Sequence, residues 1–159
     1  ELSKIPRLSK ARAAALKAAI ELGRRMAIGT SSEYYVIRSV ADAAQLLMVE
    51  MSHLEQEHFR VLYLNTRHCL LGMETIYIGS LNFSYIRVGE AFRNAVKRNC
   101  AAVIFAHNHP SGDPTPSPED VEVTRQLVAA GNLLNIEVLD HLIIGQQRFV
   151  SLRERRLGF

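Results

Sequence analysis

The segment Ala101-Ala-Val-Ile-Phe-Ala106 followed by His107-Asn-His109-Pro110-Ser-Gly-Asp-Pro-Thr-Pro-Ser117-Pro-Glu-Asp120 constrains this chain most. Six apolar residues, partly β-branched, suit a central strand buried on both faces. Pro110 ends it, and Gly112, Pro114 and Pro116 shape a tight excursion. Ser117 then caps a helix with Pro118 at its first position and Asp120 at its third. A buried strand that runs through a short loop into a helix belongs to an α/β sheet, and such sheets place their chemistry at strand ends.

The rest of the chain fits that class. Ser9 caps an Ala-rich helix from Lys10 through KARAAALKAAIELGRRMA, with Leu16, Ala19, Ile20 and Gly23 on its apolar side. Gly29 to Ser39 reads as a linker, with a domain boundary near residue 30. Val40–Met51 predicts a second helix with Leu46, Leu47 and Val49 to Met51 inward. Phe59–Asn65 and CLLGMETIYIGS predict an antiparallel hairpin, its second arm either one long strand or a bulged pair of short ones. A helix follows over Val88–Arg98, then the central strand. The next helix runs from Pro118 to about Ala130 and stops at Gly131-Asn132. NIEVLDHLIIG and RFVSL are two closing strands around Gly145-Gln-Gln147. The order predicts a mixed sheet with helices packed on it, plus an extra N-terminal helix.

At 159 residues and 48% apolar, the chain can bury a core. No apolar run approaches the ~20 residues of a membrane span, and no signal-like start is visible. Glu1 in place of Met predicts a segment of a longer protein. Cys69 and Cys100 form no CxxC pair and predict reduced thiols in a cytoplasmic protein. The net charge of +3 is uneven: residues 1–29 carry seven Lys and Arg against two Glu, the remainder twelve against fourteen acids. A basic helix can touch nucleic acid, whereas the acidic remainder argues against extensive phosphate contact.

His107 and His109, two apart at a strand end, can reach one ion. Asp120 in a first helical turn is held ionised by the helix N-terminus. Two imidazoles and a carboxylate leave a fourth tetrahedral position for water, the ligand set of a hydrolytic zinc site rather than a closed structural one. Manganese or iron would fit the same donors. Such a site also needs a carboxylate that stands off the metal and takes a proton from water. Glu57 is the leading candidate, with Glu55 on the same alternating side. Ser117 either caps the helix or donates to a developing oxyanion. His141 after Asp140 is second-shell support, a substrate-side group or a satisfied core histidine. His53, His58 and His68 read as surface or turn residues.

These residues resemble the JAMM, or MPN-plus, metalloprotease family: an upstream Glu, then His-x-His, seven residues, Ser, two residues, Asp. Within it the chain is closer to the bacterial RadC-like (UPF0758) proteins, on HNHPSGDPTPS, the preceding AAVIFA and the later VLDHLIIG, over roughly residues 40–159. The resemblance implies a cytidine-deaminase-like α/β fold, although no PCxxC is present. It implies one zinc per chain held by His107, His109 and Asp120, Glu57 as the catalytic base and Ser117 as the polar partner of the transition state. The implied activity is hydrolysis of peptide or amide bonds, isopeptide bonds included, in a peptide or protein substrate. Residues 1–30 resemble the end of a helix-hairpin-helix region, with Arg7 and Ser9 where such hairpins carry glycine. Two other functions stand beside this one. One is a DNA-associated metal protein or nuclease linked to DNA repair, the other a noncatalytic scaffold. Exposed strand edges leave room for a homodimer.

Overall fold

A computed structural model describes residues 9–28, 35–79 and 86–159. The predicted boundary near residue 30 and the hairpin loop at residues 5–8 lie outside the described residues. The chain divides into two compact units, Glu1–Tyr35 and Val36–Phe159.

In the first unit, α1 spans Lys10–Ile28. Ser9 Oγ accepts from Arg12 N at 3.3 Å, as a cap should. Arg24 and Arg25 both pair with Glu21 at 2.8 Å. These hydrogen bonds, Arg24's first, hold the Glu21 carboxyl down at about 2. Part of the helix's positive charge is thus met by its own acid.

The second unit runs α2 (Val40–Met51), β1 (His58–Leu64), β2 (Leu70–Ile78), α3 (Val88–Lys97), β3 (Ala102–Asn108), α4 (Pro118–Leu134), β4 (Glu137–Ile144) and β5 (Phe149–Ser151). The strands form a mixed sheet in the order β2-β1-β3-β4-β5. Among the described strands only β3 and β4 pair in parallel, and α4 is the crossover between them. This is the helix-flanked mixed sheet that the sequence predicts, and it is consistent with a JAB/MPN-like fold. The β1–β2 hairpin is irregular, with register shifts at Phe59/Arg60 and Tyr63/Leu64.

β3 is buried along its whole length. Its Val103 and Phe105 join Phe59, Val61, Phe92 and Leu127 in the core under α3 and α4. Alternation turns Ile104 and Ala106 to the other face, where α2 packs on β3 and β4.

Two details differ from the sequence reading. The buried stripe of α2 is Ala43, Ala44, Leu47 and Met51, while Val49 is 67% exposed. The 3.6-residue period selects small alanines over the larger valine. Helix α4 does not stop at Gly131-Asn132 but runs to Leu134 and ends on Asn135 in the left-handed region. Gly131 is there for close approach: a Cβ would lie 2.6 Å from Ile136 O and 2.8 Å from Val138 Cγ2. Among the described residues no helix is long and apolar enough to cross a membrane.

Candidate metal centre

The site forms where the C-terminal end of β3 meets the N-terminus of α4. His107 lies within β3, on the face shared with Phe105, and is fully buried. His109 lies one residue past the strand, where its N–H donates to Ile144 O at 2.9 Å. The loop then turns back sharply. Gly112 N donates to His109 O and Gln146 N to Gly112 O. The approach is so close that a Cβ on Gly145 would sit 2.5 Å from Gly112 O.

This turn returns the chain to Ser117, whose backbone starts α4 with a full capping box. Ser117 Oγ accepts from Asp120 N at 3.1 Å, while Ser117 N and Oγ each donate to Asp120 Oδ2 at 2.7 Å. The cap role of Ser117 is therefore observed. It also aims the Asp120 carboxylate at β3.

His107, His109 and Asp120 converge, each offering one ligand atom within 4.8 Å of the others. Asp120 Oδ1 is 3.0 Å from His107 Nε2, and Oδ2 is 3.7 Å from His109 Nε2. The two Nε2 atoms are 3.1 Å apart. His109 Nδ1 donates to Asp113 O at 2.7 Å. A carbonyl only accepts, so the neutral ring turns an unprotonated Nε2 to the group. Asp120 Oδ1 is buried and has no hydrogen-bond partner, although His107 Nε2 lies 3.0 Å away.

Converging lone pairs around a buried, unsatisfied carboxylate oxygen call for a cation, and this donor set fits a metal ion. The group can bind one. The proton chemistry agrees. Burial alone would push the Asp120 carboxyl up, but His107 and His109 beside it hold it well below the carboxylate range. Asp120 in turn raises His109 above the ordinary histidine value, against burial, with a smaller contribution from the charge of Glu57.

Glu57 stands outside the three-residue group. β1 pairs antiparallel to β3 with Phe59 opposite His107. Extending that register by two residues sets Glu57 opposite His109. Its carbonyl accepts from Gly79 N at 2.9 Å, and the residue is half-buried, whereas Glu55 is exposed.

Sequence reasoning passed over Asn108, which clamps this segment. Asn108 is buried and points to the α2 face. Its Oδ1 accepts from His58 N at 2.8 Å, and its Nδ2 donates to Gln56 O at 3.0 Å and Leu54 O at 3.4 Å. The available signal was a lone amide between two candidate ligands at the end of an apolar strand.

The roles of Asp140 and His141 separate. Asp140 accepts from Ser151 Oγ at 2.6 Å, His141 N at 2.7 Å and Arg153 N at 3.3 Å, tying β4 to β5 and the turn after it. Burial nevertheless pushes its carboxyl up. His141 faces the site: its Nε2 is 2.9 Å from His107 Nδ1 and its Nδ1 2.6 Å from Thr124 Oγ1. Thr124, one turn after Asp120, is a second residue that the sequence reading missed. The signal for it was its i+4 spacing from a candidate ligand. His58 Nδ1 contacts Gln56 O, and His68 lines a cavity of 210 Å³ with Ser39, Ala43, Ile104 and Leu142 on the α2 side. None of the five candidate site residues lines that cavity.

Residues 37–157 match the family described as RadC-like JAB domain. A UPF0758 protein of Chloroflexus aggregans is 61% identical over 152 residues, covering 96% of this chain and 66% of that protein. One from Roseiflexus castenholzii is 54% identical over 159 residues, covering 100% and 68%. The UPF0758 protein YsxA of Bacillus subtilis is 52% identical over 155 residues, covering 98% and 67%. The chain thus spans about two thirds of the length of these relatives. With its helix-flanked sheet and its His-His-Asp group at the end of the central strand, this chain belongs to the RadC-like JAB domain family.

Proposed function

We propose that this protein is a zinc-dependent hydrolase of peptide or amide bonds, isopeptide bonds included. The observation that carries the reading is the buried Asp120 Oδ1, which has no hydrogen-bond partner and lies 3.0 Å from His107 Nε2, on a carboxylate that also faces His109 Nε2. His107, His109 and Asp120 would hold the ion. His109 is the most exposed of the three, its side chain 17% accessible against 0% for the other two, so substrate and water approach on its side.

Bound zinc would act as a Lewis acid, polarising the scissile carbonyl and acidifying water. Glu57 takes the proton of the attacking water and returns it to the leaving amine. The Ser117 hydroxyl, which donates to Asp120 Oδ2 here, turns to donate to the oxygen that gains charge. Buried free thiols at Cys69 and Cys100 support a reducing, cytoplasmic setting.

Metal analysis of untagged protein purified without chelator, followed by a peptide-library cleavage screen, tests this. The expected result is one zinc per chain, lost in His109→Ala, and cleavage that drops about 10²- to 10⁴-fold in Glu57→Gln while zinc is retained. Protein that takes up no zinc when it is supplied would sink the reading. So would a Glu57→Gln variant as active as wild type.

A further inference from the structure

His107 has two ring nitrogens, and only Nε2 faces Asp120 and His109. To serve as a neutral ligand through Nε2 it must carry its proton on Nδ1. Nδ1 lies 2.9 Å from His141 Nε2. A contact between two imidazole nitrogens has no direction of its own, since either ring can be the donor.

The direction is set one step further on. Thr124 Oγ1 lies 2.6 Å from the Asp120 backbone carbonyl and 2.6 Å from His141 Nδ1. A carbonyl oxygen only accepts, and a threonine hydroxyl has one hydrogen. That hydrogen goes to Asp120; otherwise two acceptor oxygens would face each other at 2.6 Å with nothing between them. Thr124 Oγ1 can then only accept from His141, so His141 carries its hydrogen on Nδ1. A His107 that offers Nε2 to a cation needs an acceptor for its Nδ1 hydrogen, and a His141 with its own hydrogen on Nδ1 supplies one at Nε2. His141 Nε2 is therefore an acceptor, and it takes the Nδ1 hydrogen of His107.

We propose that Thr124, acting through His141, favours the tautomer in which His107 keeps its hydrogen on Nδ1 and offers Nε2 to a cation. The inference rests on the reading of His107 as a metal ligand. Thr124 and His141 are positioning residues: neither faces the point where the three ligand atoms converge. The chain begins on the carbonyl of Asp120 and ends on the ring of His107. It therefore links the α4 and β3 contributions to the site in one fixed hydrogen-bond direction. His109 reaches the same state in a single step, through Asp113 O.

Long-range nitrogen–proton NMR on histidine-labelled protein tests this without substitution. In metal-free protein His141 should carry a hydrogen on Nδ1. In zinc-loaded protein the Nδ1 hydrogen of His141 should persist. A His141 with no hydrogen on Nδ1 overturns the proposal.

Competition titration with a zinc chelator gives a second reading. Thr124→Val, equal in shape but without the hydroxyl, should weaken zinc binding about 10- to 100-fold. Thr124→Ser should bind as wild type does. His141→Gln can present a carbonyl oxygen to His107 directly, so adding Thr124→Val to it should cost almost nothing further. A folded Thr124→Val with wild-type affinity overturns the proposal. If neither wild type nor variant takes up zinc, the metal reading fails, while the NMR tautomers still decide this one.

Discussion

Helices α2 and α4 begin with the same device. Ser39-Val-Ala-Asp42 and Ser117-Pro-Glu-Asp120 are both complete capping boxes, with serine accepting from the third helical N–H and aspartate accepting from the cap N–H. In α2, Asp42 Oδ2 takes Arg38 N at 2.9 Å and Ser39 N at 3.2 Å, at the edge of the solvent. In α4, Asp120 Oδ2 likewise accepts from the cap N–H of Ser117, with the Ser117 hydroxyl as its second donor, but the residue is fully buried and Oδ1 is left over. The local sequence thus builds one structure twice. What makes the second a site is the partner that β3 delivers: two imidazoles where α2 meets water.

Substituting the two aspartates gives the largest contrast. Asp120→Ala should abolish stoichiometric zinc binding, because it removes one of three protein ligands. Asp42→Ala should leave zinc content at one per chain and lower stability only by loosening the capping box. Metal analysis and urea melts of both variants read the difference. Zinc retained in Asp120→Ala would make the caps equivalent after all.

Asn108 is the next place to press. It holds the Glu57 segment from the α2 face while its neighbours His107 and His109 serve the group. Asn108→Ala leaves the His58 N–H and the Gln56 carbonyl without this partner, which should cost about 1–3 kcal/mol in a denaturant melt. Zinc affinity should change little, and cleavage should fall more than binding, because the displaced part is the base. Equal losses in metal affinity and cleavage would show that the clamp supports the ligands instead.

The difference between the two caps also marks what the sequence could reveal. Cap chemistry is local, so Ser117, Pro118 and Asp120 could be placed from their order alone, as could the bounds of α2 and the burial of β3. The partners of His107 could not. His141 is 34 positions away. Which of Asp140 and His141 faces the site depends on a register shift between β3 and β4. Val103 pairs with Val138 and Ile104 with Asp140, so Leu139 is the extra residue. That one-residue shift reverses the alternation along β4, turning His141 to the face of Val138 and Asp140 away from it. No period read from LDHL contains it. Gly131 misled in the same way: its sequence signature is a helix stop, while its cause is the close approach of Ile136 and Val138.

The smallest contrast is in the pH dependence of the metal-free fold. Asp42 and Asp120 both lie below the ordinary carboxylate value. Hydrogen bonding from Arg38 N is the first cause for Asp42; for Asp120 the two histidines outweigh the upward push of burial. A depressed carboxyl gives stability that is present above its unfolded value, near 3.9, and is lost as pH falls through the folded one. Only Asp120 also raises a histidine. The raised pKa of His109 gives stability that is full below its unfolded value, near 6.5, and is lost as pH rises through the folded value. In chelator, wild type should therefore lose stability on both sides of a mildly acidic optimum. Asp42→Asn should flatten only the acid side. Asp120→Asn should flatten the alkaline side as well, because the main support of His109's proton is gone. Urea midpoints from about pH 2 to about pH 9 would read both limbs. An alkaline limb that survives in Asp120→Asn would assign His109's basicity to the Asp113 carbonyl and Glu57, and Asp120 would then differ from Asp42 only in its burial.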